Sequence, residues 1–147
     1  MEESTLKYWK DAGHVARRTL EAMKLELTPG KTFHEVIESA ERYIHRHGGK
    51  PAFPGTIAVN DLAAHFTTDH AVNQVEGWDG EMVLQKGDCV KIDFGVHIKG
   101  HIADNALTFE VGNGNEHTEQ IKAAKEARDA AIEMMHPGTP WYKVGQA

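Results

Sequence analysis

Two acidic residues carry the first chemical signal in this chain. Asp93 and Asp104 lie in the run KIDFGVHIKGHIADNALT, residues 91–108. Val90, Ile92, Phe94 and Val96 alternate with Lys91, Asp93 and Gly95, the period-2 pattern of a half-buried strand, and a second strand is expected from His101 to Phe109. The residues between them, His97-Ile98-Lys99-Gly100, read as a four-residue hairpin loop closed by Gly100 at positive φ. In that register Val96 faces His101 and Asp93 faces Asp104, so both carboxylates leave the same face with Cβ atoms ~5 Å apart. A three-residue loop would send them to opposite faces. Two carboxylates that close repel unless one takes a proton or a cation lies between them. A bound divalent metal removes the conflict; the plainer alternative is that one aspartate is merely solvated at a sheet edge.

The elements around the pair favour the metal. Val90, Ile92, Phe94 and Val96 supply a continuous apolar back face that holds the hairpin in a sheet and presents the aspartates from a rigid scaffold. Upstream, Leu6, Trp9, Val15, Ala16, Leu20, Met23 and Leu27 recur at helical spacing from about Ser4 to Leu27, and Thr28-Pro29-Gly30 ends that helix. Thr32 and Glu35 form a capping box for a second helix, striped with Phe33, Val36, Ile37, Ala40, Tyr43 and Ile44 and stopped by Gly48-Gly49. His34, His45 and His47 read as surface histidines. A short strand is expected over Thr56–Asn60, a loop over residues 68–86, and a helix from about Glu116 to Met135 that turns Ile121, Ala124, Ala131, Ile132 and Met135 toward a core. The fold class is therefore α+β, an antiparallel sheet with helices packed on one face. Pro29-Gly30 with Phe33 and Val36, and Pro137-Gly138 with Trp141 and Val144, repeat at one spacing, which points to a duplicated half.

The hairpin text resembles the first metal-ligand hairpin of the methionine aminopeptidases, within the larger pita-bread metallopeptidase family that also includes the X-Pro peptidases. Read alone, His65 beside Phe66 is a histidine satisfied in a core, and Phe53 in PAFP is an aromatic anchoring a loop. PAFP, the asparagine at position 60 and AAHFT are, however, similar to the matching stretch of the type 2 methionine aminopeptidases. The resemblance implies that Phe53 borders the pocket for a methionine side chain and that His65 contacts the scissile peptide and acts in catalysis. It also implies that Asp93 chelates one metal ion and Asp104 bridges two.

The 147 residues are one domain's worth of chain, able to bury about two-thirds of the surface an unfolded chain exposes. Net charge is -6 with both signs mixed and no basic run, which argues against binding nucleic acid through bulk electrostatics. Cys89 is the single cysteine, so an intrachain disulfide is impossible, a reducing compartment fits, and a quiet structural thiol is expected. No apolar run has membrane-spanning length and no signal-like h-region opens the chain, so a cytoplasmic protein is expected.

By resemblance, residues 1–147 are expected to form a single domain, the first half of a pita-bread fold, with the second half opening near residue 115. The implied activity is metal-dependent removal of methionine from polypeptide N-termini, using two divalent ions drawn from Co, Mn, Fe or Zn. A histidine and two glutamates that complete such a site belong to the second half, so this chain is expected to bind metal weakly, or a single ion, and to be inactive alone. A homodimer pairing two such halves is expected. Two alternatives stand beside this reading: a non-catalytic pita-bread module that binds protein or RNA, and an X-Pro peptidase, which shares the aspartate hairpin but leaves PAFP and AAHFT unexplained.

Overall fold

A computed structural model describes residues 3–68, 82–112 and 114–147. The chain divides into two compact units, Met1–Gly114 and Asn115–Ala147. In the first, α1 (Glu3–Glu26) and α2 (Phe33–Arg46) precede the short strands β1 (Lys50–Pro51) and β2 (Thr56–Val59) and the long hairpin β3 (Cys89–Ile98) and β4 (His101–Glu110). Ala12, Val15, Ala16, Thr19, Leu20 and Met23 form one buried stripe of α1, and Thr19 hides its hydroxyl by donating to the Val15 carbonyl at 2.8 Å. The capping box of α2 is formed as expected: Thr32 Oγ1 accepts from the Glu35 N–H at 3.1 Å while Glu35 Oε2 accepts from the Thr32 N–H at 2.8 Å.

All pairings in the sheet are antiparallel, and β3 is its centre. Val90, Ile92, Phe94 and Val96 are at most 1% exposed and share one cluster with Val15, Leu20 and Met23 of α1 and Val36, Ile37 and Ile44 of α2. Burying four such side chains stabilises the hairpin by on the order of 6–10 kcal/mol before entropy is counted. The helices thus cover one face, and Lys91, Asp93, Gly95 and His97 leave by the other.

The hairpin register differs from the expected one. Ile98 pairs with His101, so the loop is two residues, Lys99 and Gly100, with φ of 49° and 81°. Both positive angles fit a primed turn, whose twist matches the flanking strands better than a four-residue loop. Lys99, an unusual residue for this conformation, is held there by its ammonium, which donates to the Tyr8 hydroxyl at 3.0 Å and sits 4.9 Å from that ring's centre. Shortening the loop by two adds two rungs to the ladder and moves Asp93 opposite Ala106 and Asp104 opposite Gly95. A shift of two preserves the face, so the carboxylates remain on one side as diagonal neighbours.

The loop reading holds where the segment is described, and the core-facing reading of the last expected helix is corrected. Within the segment read as a loop, residues 69–81 lie outside the described residues, but Met82–Leu84 is tied to the α1–α2 turn. Gly30 N–H donates to the Leu84 carbonyl at 2.8 Å and Leu84 N–H to the Lys31 carbonyl at 2.9 Å, and Leu84 is fully buried. Mixed polarity hid this because one buried leucine has no period. In the second unit, α3 (Thr118–Glu133) forms near its expected position but none of its residues is buried, and Ile132 and Met135 are 56% and 50% exposed. Its apolar residues are mostly alanine, which favours helix by propensity and demands little burial. A short helix, α4 (Trp141–Val144), follows.

Candidate metal centre

The carboxylate face is built by placing small residues opposite acidic ones. Asp93 faces Ala106 and Asp104 faces Gly95, so neither partner side chain stands over the pair. Asp93 is half-buried, and among the described residues its Oδ1, though buried, has no hydrogen-bond donor. Burial raises the Asp93 pKa first; the neighbouring Asp104 carboxylate raises it further, by its charge and by direct contact, and His65 opposes the shift. A buried acceptor without a donor, repelled by a second carboxylate, is a costly arrangement in water alone. It fits a hard or borderline divalent cation, which satisfies the orphan oxygen and cancels the repulsion together. Among the described residues no cluster of three or more His, Cys, Asp or Glu side chains forms a metal cage, so the donors at this place are the two aspartates.

His65 reaches the same neighbourhood by a return of the chain. After β2, Asn60 turns left-handed at φ 53°, and the chain comes back so that Ile57 N–H donates to the Phe66 carbonyl at 2.8 Å. Thr56, the residue before Ile57, pairs with Asp93. His65, the residue before Phe66, is thereby brought toward the Asp93 end of the pairing, where its charge opposes the rise in the Asp93 pKa. The imidazole is exposed rather than buried in the helix-facing core, and its backbone sits at φ 61°. A non-glycine residue in this region stores on the order of 1–2 kcal/mol of strain, a feature that concentrates at functional sites.

Phe53 also lies on the aspartate side. Its ring covers Gly95, whose absent side chain points to the same face as Asp93 two residues away. Phe53, His65, Asp93 and Asp104 therefore share one face of the sheet. The remaining histidines of the hairpin do not join them: His97 accepts from the Gly100 N–H at 3.3 Å at the tip, and His101 turns to the other face, 5.3 Å from the rings of both Tyr8 and Trp9.

Sequence reasoning missed the polar clamp that aims the return segment. Asn60 Nδ2 donates to Asp88 Oδ1 at 3.0 Å, Cys89 N–H donates to Asn60 Oδ1 at 2.9 Å, and Lys91 Nζ donates to the Asn60 carbonyl at 2.7 Å. Asp88 Oδ2 in turn accepts from the Gln85 N–H at 2.7 Å. These bonds pin the exit of β2 to the entry of β3. The available signal was the asparagine itself, one of the few residues that tolerate left-handed backbone while offering both a donor and an acceptor.

Comparison with known proteins agrees with this geometry. Residues 7–147 match metallopeptidase family M24. The methionine aminopeptidase of Thermococcus onnurineus is 38% identical over 136 residues, covering 92% of this chain and 43% of that protein. That of Archaeoglobus fulgidus is 36% identical over 147 residues, covering 100% of this chain and 47% of its own. The chain thus spans about half the length of the curated relatives it matches. Among solved structures, methionine aminopeptidase from Thermotoga maritima superposes with a TM-score of 0.78 at 25% identity, over 92% of this chain and 54% of that one. Prolidase from Pyrococcus furiosus gives 0.71 at 26% identity, over 89% and 37%. The hairpin, the sheet with helices on one face and the match over nearly the whole length lead to one conclusion: this chain belongs to metallopeptidase family M24.

Proposed function

We propose that this chain supplies the first-half residues of a methionyl aminopeptidase, an enzyme that removes methionine from the N-terminus of polypeptides. The observation that carries this is the buried, donorless Oδ1 of Asp93 beside the Asp104 carboxylate. Asp93 and Asp104 would hold divalent ions of the Mn, Co, Fe or Zn kind. Bound there, such ions supply Lewis-acid polarisation of the scissile carbonyl and make a water acidic enough to attack at neutral pH. His65, exposed beside Asp93, is placed to donate a hydrogen bond to the peptide being cut. Phe53 offers an apolar ring to the side chain of the leaving residue. The curated relatives named methionine aminopeptidase favour this substrate over an X-Pro peptide. In this reading residues 1–147 form the first half of the fold, the second opening near residue 115, and the compartment is the cytoplasm; no described helix is long and apolar enough to cross a membrane.

With only two carboxylates as donors, the chain alone binds Mn(II) weakly and reversibly and releases no methionine. Titration calorimetry with Mn(II) and a methionyl-peptide release assay test both statements. Robust turnover that a chelator abolishes would show that the site is completed another way. In an enzyme completed by a second half, His65→Ala slows turnover on the order of 10²-fold while Mn(II) affinity changes little, since a hydrogen-bonding group acts on the substrate and not on the metal. Equal losses in both would remove His65 from its role.

The open aspartate face, with Ile102 53% exposed on it, also supports self-association as a twofold homodimer. Sedimentation velocity checks this, and a monomer at high concentration would end it.

A further inference from the structure

The return segment that carries His65 is held from both ends. At its start, Asn60 is pinned to the entry of β3. At its far end the partner is the first turn of α2. The Phe33 ring meets the Phe66 ring edge-on, with centroids 6.3 Å apart and planes at 90°. One residue along, His34 Nδ1 stands 3.2 Å from Thr68 Oγ1. Thr68 is 3% exposed, so its hydroxyl is withdrawn from water and the imidazole supplies its partner. The other ring nitrogen, Nε2, lies 3.7 Å from Glu38 Oε1, and Glu38 Oε2 accepts from Arg42 Nη1 at 3.0 Å. In the tautomer whose proton faces that carboxylate, Nδ1 accepts from the Thr68 hydroxyl. Between the two ends, residues 61–68 form no helix or strand. His65 lies there, exposed and at φ 61°, a backbone conformation that a non-glycine residue keeps only when the surrounding structure fixes it.

We infer that His34 is a positioning residue: by hydrogen-bonding the buried Thr68 hydroxyl, it anchors the far end of the return segment and keeps the His65 imidazole on the aspartate side of the sheet. His34 belongs to α2, whose apolar residues pack on the opposite face of β3, so it acts through the segment and not on the aspartates. Without the tie, Thr68 keeps a buried hydroxyl with no partner, and the segment can meet that need only by moving into water. Such a movement also frees His65 to leave its left-handed conformation. This inference rests on the reading of His65 as the group that meets the peptide, and names what holds it there.

The test uses the whole chain, isotope-labelled for NMR, with Mn(II) as the probe. A paramagnetic ion held by Asp93 and Asp104 broadens the imidazole resonances of a nearby His65, and the effect fades steeply with distance. In the metal-free chain, hydrogen exchange of the Ile57 amide reports whether the Phe66 carbonyl stays on it. The His34 side chain is 57% exposed, so His34→Ala should fold, and it should bind Mn(II) within about twofold of the unaltered chain because no ligand oxygen is removed. It should lower the protection of the Ile57 amide about tenfold, the effect of stripping a buried hydroxyl of its partner, and lose most of the His65 broadening at equal Mn(II) occupancy. Thr68→Val should do the same, and His34→Ala with Thr68→Val no more than either alone, since both changes remove one bond. His34→Asn should restore both readings, because its amide oxygen stands where Nδ1 stood. Ile44→Val, a change in the buried part of the same helix, lowers stability without touching the segment and should leave both readings as they were. Full Ile57 protection in His34→Ala, additive losses, no rescue by asparagine, or equal losses in Ile44→Val would each overturn the inference. An unaltered chain that binds Mn(II) without broadening His65 overturns it and leaves the metal reading intact. A chain that takes no Mn(II) sinks the metal reading, and the Ile57 amide then decides the tie by itself.

Discussion

The two faces of β3 are made by alternate residues of one ten-residue strand and obey different rules. Facing the helices, Val90, Ile92, Phe94 and Val96 are buried to within 1% in one apolar cluster. Facing outward, Asp93 keeps a buried oxygen without a donor, Gly95 gives up its side chain and Asp104 is exposed. The first face stabilises the fold. The second costs stability, because two carboxylates are held together and His65 is bent into left-handed backbone beside them. A strand this well packed on one side can hold an unfavourable arrangement on the other, which is how a rigid site is made from a marginally stable chain.

The contrast can be broken from either side. Phe94→Ala should have the largest effect, a loss of about 3–5 kcal/mol in urea unfolding, since a fully buried ring is removed from beneath Gly55 and a cavity is left. A loss under about 1 kcal/mol would mean the back face does not carry the hairpin. Asp104→Asn acts on the other face and in the opposite sense. It should raise the metal-free stability slightly, by a few tenths of a kcal/mol once the exposure of Asp104 is allowed for, and with it the melting temperature, while abolishing Mn(II) binding. Thermal melts with and without Mn(II) read both arms. A variant that is less stable without metal and still binds it would show that the carboxylates are not in conflict.

A control away from both faces sharpens the comparison and should be the smallest effect. Thr32, through its backbone N–H and then its hydroxyl, holds Glu35 below the ordinary carboxylate value of 4.5. The folded carboxyl releases its proton more readily than the unfolded one, so the cap's contribution is full above pH 4.5 and fades as pH falls through the lowered value. Glu35→Gln should flatten that acid limb of the stability curve and leave Mn(II) binding at neutral pH untouched. An unchanged acid limb would remove the cap from the pH dependence.

The alternation of Val90, Ile92, Phe94 and Val96 with Lys91, Asp93 and Gly95 was enough to assign the faces of β3, because side-chain direction in a strand depends only on the parity of position. For the same reason an error of two residues in the loop did not move either aspartate off its face. The capping box at Thr32 and Glu35 and the helix stop at Pro29-Gly30 were equally legible, since each is a local rule of backbone sterics and hydrogen bonding. What the tertiary structure decided was everything that depends on distant residues meeting. Lys99 takes a turn conformation that its sequence neighbours do not require because Tyr8 of α1 receives its ammonium. Leu84 is buried because the α1–α2 turn offers it backbone partners. Phe53 packs on the carboxylate face because Gly95, more than forty residues later, has no Cβ. No local pattern encodes such meetings: their free energy exists only once chain closure has brought the partners into contact.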